Sequence, residues 1–346
     1  MRVGHAPTGR SSPAARHDEQ ALRIITVVTD VKSIVIADSA EVLEPIENRL
    51  TSVGLKPDRM IGVSFLPPEP LPHDLIFFAF SADREELKTL LGRVKDKAQL
   101  VAIVPQGTDL ATMAFLIADH RCNHVVQSDD EAGLGRLTTT AEKLLSGDIF
   151  GIEKYMPDAE EVNYYRLTNY RGRSEAIDRI VAFAEASKVR RQVRSTIAQV
   201  CEELLMNALY NAPVDDFGRP MFANVTPKDR LDLDSPRPVS IRYGVSKTHF
   251  GIAVRDRFGT LTKETVLRYI HKCLHSRQQI DGKTLGAGLG LYLVASRARE
   301  YVINIAPGVA TEAIAIFAKR GGATRSPGTF SVYVHPGSPE DPDVAS

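Results

Sequence analysis

The stretch Gly286-Ala287-Gly288-Leu289-Gly290-Leu291 decides how this chain reads, because of the two elements that precede it. Asp256 stands 30 residues upstream at the end of an apolar run, and before it comes Glu203-Leu204-Leu205-Met206-Asn207-Ala208-Leu209-Tyr210-Asn211. Alternate glycines let a backbone come within hydrogen-bond reach of phosphate oxygens, and the helix expected from Leu291 to Arg299 points its N-terminal amides the same way. The stretch reads as an anion cradle. It has no Gly-Lys-Ser/Thr ending, so it is not a P-loop, and no strand runs directly into it as a dinucleotide fingerprint demands.

Working outward, apolar residues Val193, Ile197, Val200, Leu204 and Leu205 recur at helical spacing between Arg190 and Ala212, and Pro213 ends the run. On that helix Glu203, Asn207 and Asn211 sit four apart and share a face. A carboxylate and two carboxamides on one stripe can hold hydrated Mg²⁺ through oxygen while the acid orients or deprotonates a nucleophile. The same stripe can also be nothing more than a solvated face. His249 to Arg255 reads as a strand with Phe250, Ile252 and Val254 on one face, running into Asp256 and a turn at Phe258-Gly259-Thr260. Asp256 can accept from the exocyclic amine of adenine, or serve only the turn.

Together, E-x-x-x-N-A-x-x-N, D-x-F-G and G-x-G-L-G-L resemble the GHKL superfamily of ATP-binding domains (the Bergerat fold), which includes sensor histidine kinases, anti-sigma-factor serine kinases, gyrase-type ATPases and Hsp90-class chaperones. The resemblance spans roughly residues 165 to 317. It implies that Glu203 is the general base, Asn207 the Mg²⁺ ligand, Asp256 the adenine acceptor, and Gly286, Gly288 and Gly290 the phosphate-binding backbone. Asn211, Gly259 and Leu289 join the implied nucleotide-binding set, and Lys283, in the implied lid, reaches a phosphate. Ile303 to Ile316 resembles the closing hairpin of the family, which gives Thr311 the role of supporting the acid beside adenine. Gly328 to Pro336 is a second candidate for that strand. The chain departs from the family's D-x-G-x-G, since Phe258 and Thr260 fill both glycine positions.

Residues 31–147 alternate strand with helix. Ser33–Ala37, Met60–Ser64, Leu75–Phe80, Leu100–Val104 and His124–Gln127 are short apolar runs of the kind found in buried parallel strands. They resemble the doubly wound, flavodoxin-like sheet of response-regulator receiver domains. Asp38 follows the first strand, but Phe80-Ser81 occupies the acceptor position and Ser128-Asp129 the lysine position. Asp83 fits a helix N-cap better than a displaced nucleophile. A degenerate receiver of this kind implies docking or homodimerisation, and the C-terminal strand ends of such a sheet are also where small ligands bind.

The fold expected is therefore two domains, an α/β receiver-like parallel sheet followed by an α+β sandwich of the GHKL type. The expected boundaries are an arm at 1–22, the receiver-like unit at 31–147, a linker at 148–173, the ATP-binding unit at 174–335 and a tail at 336–346. Pro213 to Pro238 reads as an irregular insertion suited to a partner-docking flap.

With 346 residues, 43 basic and 43 acidic, the chain can bury two cores, and its charge recommends neither nucleic acid nor an anionic membrane as partner. Cys122, Cys201 and Cys273 have no paired or metal-ligand spacing and suit a reducing cytoplasm. No apolar run approaches a membrane span, and the N-terminal stretch lacks the apolar centre of a secretory signal. None of the nine histidines sits in the setting of a histidine-kinase phosphoacceptor, and His271 and His275 lack a third metal ligand. The chain thus reads as a bacterial cytosolic signalling protein that binds Mg²⁺ and ATP and phosphorylates Ser or Thr of a partner protein. The alternative is a pseudokinase-like, nucleotide-gated binding module.

Overall fold

The structure, a computed structural model, describes residues 31–81, 83–128, 131–222, 224–225, 229, 234–276, 289–320 and 328–335. Its first half runs β1 (Ser33–Ala37), α1 (Ala40–Ser52), β2 (Asp58–Ile61), β3 (Leu75–Ala79), α2 (Arg84–Leu91), β4 (Gln99–Val104), α3 (Leu110–Leu116), β5 (Cys122–Gln127) and α4 (Glu131–Ser146). The second half runs β6 (Glu161–Asn169), α5 (Arg173–Ala186), α6 (Arg191–Met206), β7 (Asp234–Val245), β8 (His249–Asp256), α7 (Lys263–Ser276), α8 (Leu289–Arg297), β9 (Glu300–Ala306), β10 (Ala310–Ala318) and β11 (Thr329–Val334).

These strands form one mixed sheet of 11 strands in the order β2-β1-β3-β4-β5-β11-β9-β10-β8-β7-β6. The first five are mutually parallel. Beyond them, β11 lies antiparallel to β5 and parallel to β9, and the remaining pairs are antiparallel. The two expected units are therefore joined edge to edge through β11. Their cores merge as well: Ile34, Ile36, Phe78 and Val125 belong to the same buried cluster as Ile197, Leu204, Ile252 and Ile303. The opposite face carries α1 and α4 over the parallel strands and residues 149–156 over the antiparallel ones, with Leu144 touching both clusters.

Strand character follows burial. All five residues of β1 are buried, with Ile34 and Ile36 on one face and Val35 and Ala37 on the other, which is why the run carries no polar alternation. Helix α2 starts where Asp83 Oδ1 accepts from the Glu85 amide at 2.8 Å, so this carboxylate is the cap expected of it. Phe80 is buried, and the Ser81 hydroxyl donates to Glu86 at 2.9 Å.

The stretch expected to be a bare linker is instead folded. Glu312, buried on β10, accepts from the Gly151 amide at 2.9 Å and from Asn304 Nδ2 at 3.0 Å. Asn304 Nδ2 also donates to the Ile149 carbonyl at 2.7 Å, and Tyr155 donates to Asn304 Oδ1 at 3.0 Å. Beyond this buried polar knot the chain forms β6, the outer edge strand, paired with β7. In this segment Tyr164 is exposed, while Tyr170 is buried and points its hydroxyl at Met206 Sδ, 3.1 Å away.

A second tie crosses the halves at α7. Lys263 is buried at its N-terminus and donates to the carbonyls of Asp119 (2.6 Å) and Cys122 (2.9 Å) at the entrance to β5. Burial pulls its pKa down to about 8. No helix among the described residues is long and apolar enough to cross a membrane.

Candidate functional site

Helix α6 buries Ile197, Val200, Cys201, Leu204 and Leu205, which leaves Glu203 half-buried on its flank. Burial raises the Glu203 pKa. Past Met206 the helix widens into a π turn over Asn207–Asn211, in which the Ala212 amide reaches the Asn207 carbonyl at 2.8 Å. Such single-turn widenings recur at functional sites. Within the turn Asn211 Nδ2 donates to Asn207 Oδ1 at 2.9 Å.

The third glycine of the box meets this helix. A Cβ on Gly290, at the start of α8, would overlap Glu203 Oε2 and stand 3.0 Å from Glu203 Cδ, so the site is shaped for glycine by the acid beside it. Gly286, Gly288 and Lys283 lie outside the described residues, as does the side chain of Leu289. Of the three glycines expected to form a phosphate cradle, Gly290 is the one among the described residues.

Asp256 ends β8, is buried, and uses Oδ1 to accept from the amides of Phe258 (2.8 Å) and Gly259 (3.1 Å). That turn role is real, and Oδ2 takes no part in it. Burial pushes the carboxyl up to about 6, against the opposing pull of the Phe258, Gly259 and Thr311 donors. Thr311 faces Asp256 directly across the β8–β10 pair. Its hydroxyl is close enough to favour the ionised acid, yet the geometry falls short of a good hydrogen bond and Oγ1 is buried without a partner. A buried, under-satisfied hydroxyl next to a buried acid fits a polar, hydrogen-bonding ligand such as a nucleobase. The other candidate strand, β11, is separated from β8 by β9 and β10, so of the two strands the one with Thr311 lies beside Asp256.

Gly259 has a structural task. Its φ is +62°, and a Cβ there would collide with backbone, 2.7 Å from Val309 N and 2.8 Å from Ala310 N in the β9–β10 turn. The Gly259 carbonyl also accepts from the Gly308 amide at 3.1 Å. Gly259 therefore locks the end of β8 to the hairpin that carries Thr311.

Phe258 and Thr260, which stand where a D-x-G-x-G pattern would have glycine, are both engaged. Phe258 is buried with the Arg237 guanidinium 5.0 Å from its ring centroid. Thr260 Oγ1 donates to the Ala212 carbonyl at 3.0 Å, linking the turn after β8 to the end of the π turn. Nothing in the local sequence pattern announces this tie between two of the candidate-site elements. Between them, the Gly290, Thr260 and Thr311 contacts assemble Glu203, Asn207, Asn211 and Asp256 around one end of the second half.

For a divalent cation the chain offers hard oxygen donors, the Asn207 carboxamide and the Glu203 carboxylate, and this set fits Mg²⁺ better than a softer metal. Among the described residues no cluster of three His, Cys, Asp or Glu stands ready for a metal. His271 and Cys273 lie on α7, the Cys273 thiol buried, and the His275 side chain is outside the described residues. None of the three cysteines is in a disulfide, and all are buried.

No protein-family model matches this chain, and no curated protein does either.

Proposed function

We propose that the second half of the chain is an ATP-binding unit of the GHKL (Bergerat) type, and that the five parallel strands ahead of it are a degenerate, flavodoxin-like receiver unit serving docking or dimerisation. The observation that carries this reading is the packing of Gly290, the last glycine of the box, against the Glu203 carboxylate of the preceding helix. That contact sets an acid and a glycine backbone, 87 residues apart in sequence, side by side, as this reading requires.

In this reading the protein is a cytosolic signalling enzyme of bacterial type that transfers phosphate to Ser or Thr of a partner protein. Asp256 accepts from the adenine amine through the oxygen not engaged by the turn, with the Thr311 hydroxyl beside it. Asn207 holds the metal through its carboxamide oxygen, and Gly290 contributes backbone to the phosphate site. Bound Mg²⁺ neutralises charge on the phosphates. Glu203, its pKa raised by burial, is poised to take the proton of the attacking hydroxyl.

A second reading, a nucleotide-gated binding module without turnover, is favoured by Phe258 and Thr260, which fill positions that the family leaves as bare backbone. Incubating the purified protein with γ-labelled ATP and Mg²⁺, with and without cell lysate, separates the readings. Acid-stable label on a lysate protein supports Ser or Thr transfer. Acid-labile label on the chain itself replaces this reading with histidine chemistry, and calorimetric binding without any label selects the module.

A further inference from the structure

We propose that Asn211 is a positioning residue, which turns the Asn207 carboxamide oxygen toward a divalent cation, and that it does not itself touch nucleotide. The inference rests on the nucleotide-site reading above and deepens it.

The two ends of a carboxamide have nearly the same shape and opposite chemistry. A cation is attracted by the oxygen and repelled by the NH₂, so which end Asn207 presents determines whether it can be a ligand at all. Its own side chain does not decide this; a neighbour must. Asn211 Nδ2 donates to Asn207 Oδ1 at 2.9 Å, and a donor in that place requires oxygen opposite it. A carboxamide oxygen has two lone pairs, so accepting from Asn211 leaves one for a metal.

The backbone that carries this donor is tied down. Asn211 closes a π turn that ends in the 2.8 Å bond from the Ala212 amide to the Asn207 carbonyl. The Ala212 carbonyl is pinned in turn by Thr260 Oγ1 at 3.0 Å, from the loop after β8. The metal-orienting bond is thereby tied to the strand end that carries Asp256. Outer partners of this kind commonly set the orientation of a ligand that does the binding.

The test is calorimetric affinity for ATP with Mg²⁺ and with EDTA, for wild type, Asn211→Ala and Asn211→Gln. Asn211 is exposed, so neither change opens a cavity. Asn211→Ala should lose about tenfold of the affinity that Mg²⁺ adds, keep its metal-free affinity, and be partly rescued in Asn211→Gln, which retains an NH₂ donor. The proposal is overturned if Asn211→Ala keeps the full Mg²⁺ gain, if it loses metal-free affinity equally, or if Asn211→Gln is no better than Ala. Wild type showing no ATP affinity in either condition removes the nucleotide-site reading itself, an outcome distinct from an indifferent Ala variant.

Discussion

Gly290 and Glu203 share a space that a single methyl group would close, since a Cβ on Gly290 would overlap Glu203 Oε2. What it would displace is the end of a side chain with rotatable bonds. The contact therefore constrains where the acid points much more than whether the protein folds.

Gly290→Ala accordingly separates geometry from stability. Alanine favours a helix over glycine by about 1 kcal/mol, which offsets the cost of turning Glu203 aside. Urea unfolding should shift by no more than about 1 kcal/mol in either direction, while any ATP hydrolysis falls by tenfold or more as the base leaves its position. A stable variant with undiminished hydrolysis would remove Glu203 from the chemistry.

Gly259→Ala should behave in the opposite way. The neighbours of its Cβ are backbone atoms of Val309 and Ala310, which cannot swing aside, and φ is +62°. Positive φ and backbone overlap together predict a loss of about 3 kcal/mol or more. Urea denaturation compared with Gly290→Ala measures the contrast, and equal stabilities would mean that the β9–β10 turn does not rest on Gly259.

Asp256 predicts a pH dependence with a definite sign. Its carboxyl titrates at about 6 in the folded chain, above the ordinary 3.8, so between these values the folded state binds more protons than the unfolded one. Its contribution is complete below pH 4 and is lost as pH rises through 6, on the order of 3 kcal/mol in all. Asp256→Asn keeps an oxygen for the Phe258 and Gly259 amides and removes the titrating group, so it should flatten that part of the stability profile. The same variant mispairs with the adenine amine and should cost about tenfold in ATP affinity by calorimetry. A profile identical to wild type would show that Asp256 is not the group responsible.

Glu203→Ala and Asn207→Ala should fail differently. The first retains Asn207 and the glycine backbone, so Mg²⁺-ATP still binds while hydrolysis or transfer drops by about 10² to 10⁴. The second loses a metal oxygen, so the Mg²⁺-dependent part of binding weakens first. Filter binding and turnover on the same preparations distinguish them. If both variants bind and turn over alike, one helix face is not dividing the labour as proposed.

Much of this was legible because burial and periodicity agree. β1, β3, β4 and β5 stand out as apolar runs since both faces are covered, and β8 stands out since Phe250, Ile252 and Val254 all face the main core. β6 was read as linker because it is an outer edge strand whose Tyr164 remains exposed. β7 opens inside the expected insertion, at Asp234, and its prolines precede Ser240, where pairing with β8 begins; they therefore interrupt no bond to that neighbour. The alignment of Thr311 with Asp256 was implied by the resemblance of Ile303–Ile316 to a closing hairpin. The role of Gly259 did not, because its contacts come from a turn some 50 residues later in the chain. Nor does the spacing of Asn207 and Asn211 reveal a π turn, since residues four apart are neighbours on an α-helix as well.

The short ladder joining Thr329–Ser331 of β11 to His124–Val126 of β5 has a practical consequence for anyone wishing to divide the protein. A cut placed between residues 147 and 148 would leave Cys122–Gln127 bare along one fragment and β11 bare along the other, each offering an apolar row of unpaired amides and carbonyls to whatever strand comes by. Fragments made that way should stick to themselves or to one another. Mixed after separate expression, they should recover solubility as a pair that neither has alone.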